Sequence, residues 1–279
     1  MSLIRILVQS VIKLIGVTSL VYVVLYCAPG HIAIHGVEKE RSLGRAAIDY
    51  VEWGGKVITG DWGYYKDGRK ISERLKQHIP RTLLLVGGSL VISLLLSLLM
   101  VLASLYWQHM VLVRSSITII NLLSGIHIIV LSYVFVLFDW ARPNEGFSFW
   151  LLIILALGNG ALVDYFSVLH SQFDKALSQD YVSAALARGA DRFRHATRYE
   201  ILLAIVEATS SRIPALIGGT IIVEYIFGYN GIGFDIIKAV ENRHFDLTMG
   251  VTTALAILLI GISDMTQFVR QRLDPKLHS

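Results

Sequence analysis

Long, largely apolar runs alternate with polar segments along the whole of this chain. A helix needs about 20 mostly apolar residues to cross the hydrocarbon core of a bilayer, and six stretches qualify: roughly 8–28, 82–105, 117–138, 149–170, 205–227 and 248–269. The pattern predicts an all-α integral membrane protein, a single transmembrane domain over 1–279 with six spanning helices. Residues 30–81 are rich in Gly, Asp, Glu and Lys and too mixed to span, so they form an extramembrane insertion with room for short helices. Residues 174–200 and 228–247 are the other polar intervals that carry information.

Composition removes the soluble alternative. Hydrophobic side chains make up 54% of the 279 residues and charged ones 16%, against about 25% charged in soluble domains, and mean hydropathy is +0.59. A net charge of +4 and a single cysteine exclude strong acidity and an internal disulfide framework. The basic residues are scattered between apolar runs, where they orient a membrane protein rather than bind nucleic acid. With both termini in the cytoplasm, 11 Lys and Arg fall inside, 13 outside and Arg212 within a span. Ten of the outside 13 sit in the long insertion among seven acids, and long loops carry little weight. The short segments alone give 11 against three, which predicts an N-in, C-in topology. Arg5 and Lys13 ahead of the apolar run Leu14 to Ala28 resemble a signal peptide, yet no small-x-small site precedes Pro29-Gly30, so the run is expected to persist as the first span. Tyr26 beside Cys27 disfavours lipidation and predicts a packed thiol.

The interval 174–200 is polar and still patterned for helix, with Leu177, Tyr181, Ala184 and Ala185 recurring on one side. Gly189 offers a left-handed stop and Asp191 an N-cap for a second helix leading into the fifth span. Small alanines on one face let a partner's backbone come close. A surface hairpin with a solvated face of Arg188, Arg192, Arg194 and Arg198 fits the same pattern.

Here a resemblance becomes specific. The run Tyr181-Val182-Ser183-Ala184-Ala185-Leu186-Ala187-Arg188-Gly189 resembles the cytoplasmic loop signature of ABC-transporter permeases, Glu-Ala-Ala followed after three residues by Gly, with Ser183 in place of Glu. Gly218-Gly219, Val223-Glu224, Phe227, Gly231-Ile232-Gly233 and Leu273-Asp274-Pro275-Lys276 follow in the same order and spacing. In the amino-terminal half, residues 25–30, Gly60-Asp61-Trp62-Gly63 and residues 71–82 are similar as well. Nearly the whole chain thus resembles the inner-membrane permeases of dipeptide, oligopeptide and nickel importers, in particular the first of their two permease subunits. It departs from them in carrying Glu207 where a proline is usual, with Pro214 later, and in a short loop at 139–148. These departures leave the fold expectation in place and weaken that of an ordinary peptide cargo.

The resemblance implies a type I importer permease in the bacterial cytoplasmic (inner) membrane, surrounded by lipid and forming half of a pathway for a peptide-like solute. It implies a second permease subunit, one or two cytoplasmic ABC ATPases seated on Asp180, Tyr181, Ala184, Ala185 and Gly189, and an extracytoplasmic substrate-binding protein. That protein would meet 30–81 and 228–247, with Gly228, Gly231 and Gly233 permitting turns and Ile232 and Phe234 anchoring the loop against the membrane surface.

The chemistry is that of a transport subunit rather than an enzyme. No run matches G-x-x-x-x-G-K-[ST], so no cofactor is expected on this chain, and ATP and Mg belong to a partner. Ionisable residues inside spans are costly and mark functional sites by default; Asp164, Glu207, Arg212 and Glu224 are candidates for pathway-lining or interhelical contacts, with Asp264 and Lys13 nearby. Glu207 and Arg212, five apart, lie about 140° apart around a helix and do not pair with each other. The structural reading puts Glu224 and Asp264 near aqueous faces. A self-sufficient ion-coupled transporter would use the same acids, and an intramembrane protease would use Ser89 after Gly87-Gly88. His31 and His35 are four apart beside Pro29-Gly30, and no metal site is expected.

Overall fold

A computed structural model of the chain describes residues 3–27, 33–34, 37–38, 43–65, 68–106, 118, 122, 125–138, 146–178, 180, 184, 187–189 and 198–273. Among them the chain is helical apart from one hairpin, β1 (Ala33–Ile34) and β2 (Val37–Glu38), which pairs Ala33 with Glu38 and Ile34 with Val37. The helices are α1 (Leu3–Cys27), α2 (Leu43–Ile58), α3 (Ile71–Tyr106), α4 (Ile128–Leu137), α5 (Gly146–Leu177), α6 (Arg198–Ile226), α7 (Ile232–Glu241) and α8 (Phe245–Leu273).

Three helices are long and apolar enough to cross a membrane among the described residues, over Arg5–Cys27, Ile71–Ser104 and Phe245–Val269. They match the first, second and sixth predicted runs to within a residue at the carboxyl end. The fourth falls inside α5, of 32 residues, and all but the last residue of the fifth inside α6, of 29. The third, predicted as one span over 117–138, is corrected: residues 125–127 form a turn, the His127 side chain caps α4 by accepting the Ile129 N–H, and α4 starts only at Ile128; most of 107–124 lies outside the described residues.

The second span starts 11 residues earlier than its apolar run. Residues 73–77, Glu-Arg-Leu-Lys-Gln, are strong helix formers, so the polar end of the insertion is wound into α3. At about 1.5 Å per residue the 36 residues reach about 54 Å, well beyond a hydrocarbon core of about 30 Å. The first turns of α3 therefore stand outside it. The motif Gly60-Asp61-Trp62-Gly63 makes the entry: Asp61 Oδ1 accepts the Gly63 N–H at 3.1 Å, Gly63 adopts φ 86°, and its carbonyl accepts the Ile71 N–H at 3.1 Å. Only a residue without a Cβ takes that φ at no steric cost.

The chain divides into two compact units, 1–84 with 220–264, and 85–219 with 265–279. The first is centred on an aromatic cluster of Tyr22, Tyr26, Trp53, Phe245 and Met249, flanked by Tyr50 and Val57. Tyr22 meets Phe245 edge-on, with centroids 5.5 Å apart at 89°, and Tyr50 at 5.2 Å and 66°; each such pair adds about 0.5–1.5 kcal/mol beyond its buried area. In the second unit, α3 and α5 approach through small residues. Ser93 and Ser97 donate to the carbonyls of Gly158 and Leu162 at 3.1 and 2.6 Å, and a Cβ on Gly158 would sit 2.5 Å from Ser93 Oγ. Ser89, on the same stripe, donates to Leu85 O in its own helix at 2.7 Å. Cys27 ends α1 exposed, a correction to the packed thiol expected from sequence: the aromatic side chains of its neighbours occupy the packed face.

Candidate functional site

The polar centre of the first unit lies where α7 meets the first turns of α3 and the last turn of α6. Helix α7 begins at Gly231, which has no side chain to cap it. Two orphan N–H groups of its first turn are satisfied from the neighbouring helices instead. Thr82 Oγ1 accepts the Ile232 N–H at 2.9 Å, and Glu224 Oε2 accepts the Phe234 N–H at 3.1 Å. The Thr82 hydroxyl in turn donates to Glu224 Oε1 at 2.6 Å. The carboxylate thus sits at the positive end of a helix, where anions are favoured. Glu224 is 0% exposed, because the helix start covers it.

One turn further, Asp235 is also fully buried and closes a second link. Arg74 donates to its Oδ1 through Nε at 2.8 Å and lies 2.7 Å away through Nη2, while His78 Nδ1 lies 2.6 Å from Oδ2. Arg74, His78 and Thr82 are spaced by four along α3 and form one stripe. Arg74 also lies over the Tyr65 ring at 4.9 Å, and Arg81 donates to Asn230 O at 3.2 Å. On the outer side of α7, Lys238 and the Tyr225 hydroxyl hold Glu241 at 2.9 and 2.5 Å. The Tyr225 hydrogen bond first, and Lys238 second, keep the Glu241 carboxyl below its ordinary range. Burial pushes the Tyr229 hydroxyl up to about 12.

The glycines act through space more than through turns. Of the three, Gly228 alone has a positive φ, 65°. A Cβ on Gly233 would stand 2.5 Å from Ile221 Cα and 2.9 Å from Ile221 N, and one on Gly231 would run into the Glu224 carboxyl group. They let α7 rest on the backbone of α6. Ile232 is 0% exposed inside the unit, which corrects its expected role as an anchor on the membrane surface.

In the second unit Arg212 on α6 forms an ion pair with Asp164 on α5, both about a third exposed. The adjacent Tyr165 hydroxyl donates to Thr209 Oγ1 at 2.8 Å. Two candidates from sequence are thereby joined. The side chain of Glu207 lies outside the described residues, as do Tyr181, Ala185, His31 and His35. Asp180 and Ala184 are exposed, and Gly189 adopts φ 79°. In the first unit Asp264 accepts a hydrogen bond from Ser10. Among the described residues no group of three His, Cys, Asp or Glu converges as metal ligands do. Sequence reasoning missed Arg74, His78, Thr82 and Asp235; the four-residue spacing of the first three was visible, but their partner Asp235 lies more than 150 positions away on another helix.

Three helices long and apolar enough to cross a bilayer define a membrane protein that crosses more than once. The family described as the binding-protein-dependent transport system inner membrane component matches residues 93–279. The chain belongs to that family, and is thus a multi-pass inner-membrane protein and an ABC-transporter permease component. It is similar to the oligopeptide transport system permease protein AppB of Bacillus subtilis, 23% identical over 312 residues covering 99% of this chain and 98% of that protein. A candidate peptide permease of Brucella suis is 25% identical, covering 95% and 94%. The nickel import system permease protein NikB of Staphylococcus aureus is 22% identical, covering 97% and 89%.

Proposed function

We propose that this chain is one of two permease subunits of an ATP-driven importer and lines half of the pathway for a peptide-like solute delivered by an external binding protein. It crosses the membrane six times with both termini in the cytoplasm. One or two ABC ATPases seat on 174–200 and hold the ATP and Mg, and the binding protein meets 30–81 and 228–247. The observation that carries the reading is the clamp of α7. A loop that only connected two spans has no need of two buried acids, whereas a surface that passes a docking event to the spans has to be rigidly joined to them, as Glu224–Thr82 and Asp235–Arg74–His78 join α7 to α3 and α6. The ion-coupled alternative loses support at two of its acids, since Asp164 is paired with Arg212 and Glu224 caps a helix.

The test is gentle purification of the tagged chain from its native membrane, identification of every chain that stays bound, and reconstitution of what is recovered. The reading expects a second permease and a P-loop ATPase, with uptake that requires ATP and the external protein. Recovery of the chain alone, active in liposomes without ATP, would overturn it.

A further inference from the structure

Helix α2 is apolar on the side that faces away from its own protein core. At 100° per residue, Ala46, Asp49, Tyr50, Trp53 and Val57 share one arc, and Ala46, Tyr50, Trp53 and Val57 pack into the aromatic cluster. Ile48, Val51 and Ile58 gather within about 80° on the opposite side and are 59%, 71% and 88% exposed. A helix on a water-facing surface carries its charges there. Here Arg45, Glu52 and Lys56 instead crowd within about 40° on one flank, between the apolar stripe and Asp49. Three directions are thus distinct: into the protein, along the charged flank, and along the apolar stripe.

The depth of α2 says what the stripe meets. The Tyr50 hydroxyl lies 2.7 Å from Thr18 Oγ1 and 3.4 Å from Ile15 O, both on α1. Thr18 is nine residues, about 14 Å, from the end of that helix and lies within its spanning segment. Val17, Leu20, Val23 and Val24, which bracket Thr18 and Tyr22, are 42–66% exposed; in an inner-membrane protein these side chains face acyl chains. The Tyr50 hydroxyl reaches that level from a backbone lying further toward the end of α1, and the stripe leaves α2 on the side away from the cluster.

We propose that α2 is an interfacial helix lying in the leaflet at the carboxyl end of α1, with Ile48, Val51 and Ile58 sunk among phospholipid acyl chains and the Arg45–Glu52–Lys56 flank turned to headgroups and water. Such a helix binds in the plane of the membrane through its apolar face and its flanking charges. It fixes the start of the insertion at the membrane surface and leaves only the charged flank for soluble partners. The proposal rests on the membrane location of the chain and is independent of its being an importer subunit.

The experiment is site-directed spin labelling in the full chain, in its native complex and reconstituted into phospholipid vesicles, on a Cys27→Ser background. Ile48→Cys, Val51→Cys and Ile58→Cys are labelled one at a time, with Arg45→Cys and Lys56→Cys for comparison. Power saturation is read with oxygen, which partitions into the bilayer, and with a neutral nickel chelate, which stays in water. The expected result is severalfold higher collision with oxygen than with the chelate at the three stripe positions, and the reverse at the two flank positions. Free access of the chelate to the stripe would place it in water. Loss of access to both reagents would mean that a protein partner covers it. Either outcome overturns the proposal.

Discussion

Replacing Gly233 by alanine tests the close seat of α7 on α6 directly. The added Cβ would meet Ile221 Cα at 2.5 Å, where ordinary contact begins at 3.4 Å, so α7 has to lift by roughly 1 Å. The obstructing atom is backbone, and truncating the Ile221 side chain gives no relief. A lift of that size stretches the Phe234 N–H bond to Glu224 from 3.1 Å and the Ile232 N–H bond to Thr82 from 2.9 Å to about 4 Å, past the hydrogen-bond limit. Leaving two buried donors unsatisfied costs about 1–3 kcal/mol each; holding the helix down in a strained position costs about 1–3 kcal/mol in all. The cheaper route wins, so the expected loss is about 2 kcal/mol. In hydrogen-exchange mass spectrometry that is roughly 30-fold faster exchange over 232–236. Gly228→Ala is the control: nothing lies within 4 Å of its Cβ, and only the positive φ is strained, at a cost of about 1 kcal/mol. Exchange in Gly233→Ala within threefold of the parent chain, or a larger effect at Gly228, would refute the reasoning.

Three further outcomes follow from the same contacts. Asp235→Asn leaves Arg74, three quarters buried, without its charge partner, and should cost about 2–4 kcal/mol, read as a lower unfolding midpoint in detergent; an unchanged midpoint would sink the clamp. Gly158→Ala should destabilise the packing of α3 on α5 and Ser93→Ala should rescue it, since the Cβ collides with Ser93 Oγ at 2.5 Å; the check is the thermal midpoint of single and double variants, and absence of rescue removes the explanation. The lowered folded pKa of Glu241 means that its contribution is present above the ordinary carboxylate range and fades as pH falls through its lowered value. Between pH 6 and 3 the unfolding midpoint of the parent chain should therefore fall further than that of Glu241→Gln, and parallel curves would contradict the assignment.

Three of the spans, the first, second and sixth, were legible because crossing hydrocarbon imposes an apolar length on sequence that few other demands mimic. Helix boundaries were less so: apolar length marks where lipid begins, whereas α3 starts 11 residues before that point, where helix formers and contacts of Arg74 and His78 with Asp235 hold it. The Asp164–Arg212 pair shows the same division. Each member was visible as a costly charge within a span, but the partnership joins residues 48 positions apart on two helices, and periodicity within one helix can only say that Glu207 is not the partner. The glycines were seen and their reason was not. A turn leaves a local mark around the residue, while a collision with Ile221 depends on how two helices cross.

That last contact explains why the cap of α7 comes from elsewhere in the chain. A serine or aspartate at position 231 would cap the helix itself, worth about 1 kcal/mol, but its Cβ would occupy the space of the Glu224 carboxyl group. The helix can rest on α6 or cap itself, and cannot do both. Because its first N–H groups depend on Thr82 of α3 and Glu224 of α6, it is fully satisfied only when those two helix segments stand in one register. A slip of a single residue's rise, about 1.5 Å, would uncap it. The folded state of α7 therefore reads the relative position of the two segments beneath it, and a partner that favours folded α7 favours that register with it.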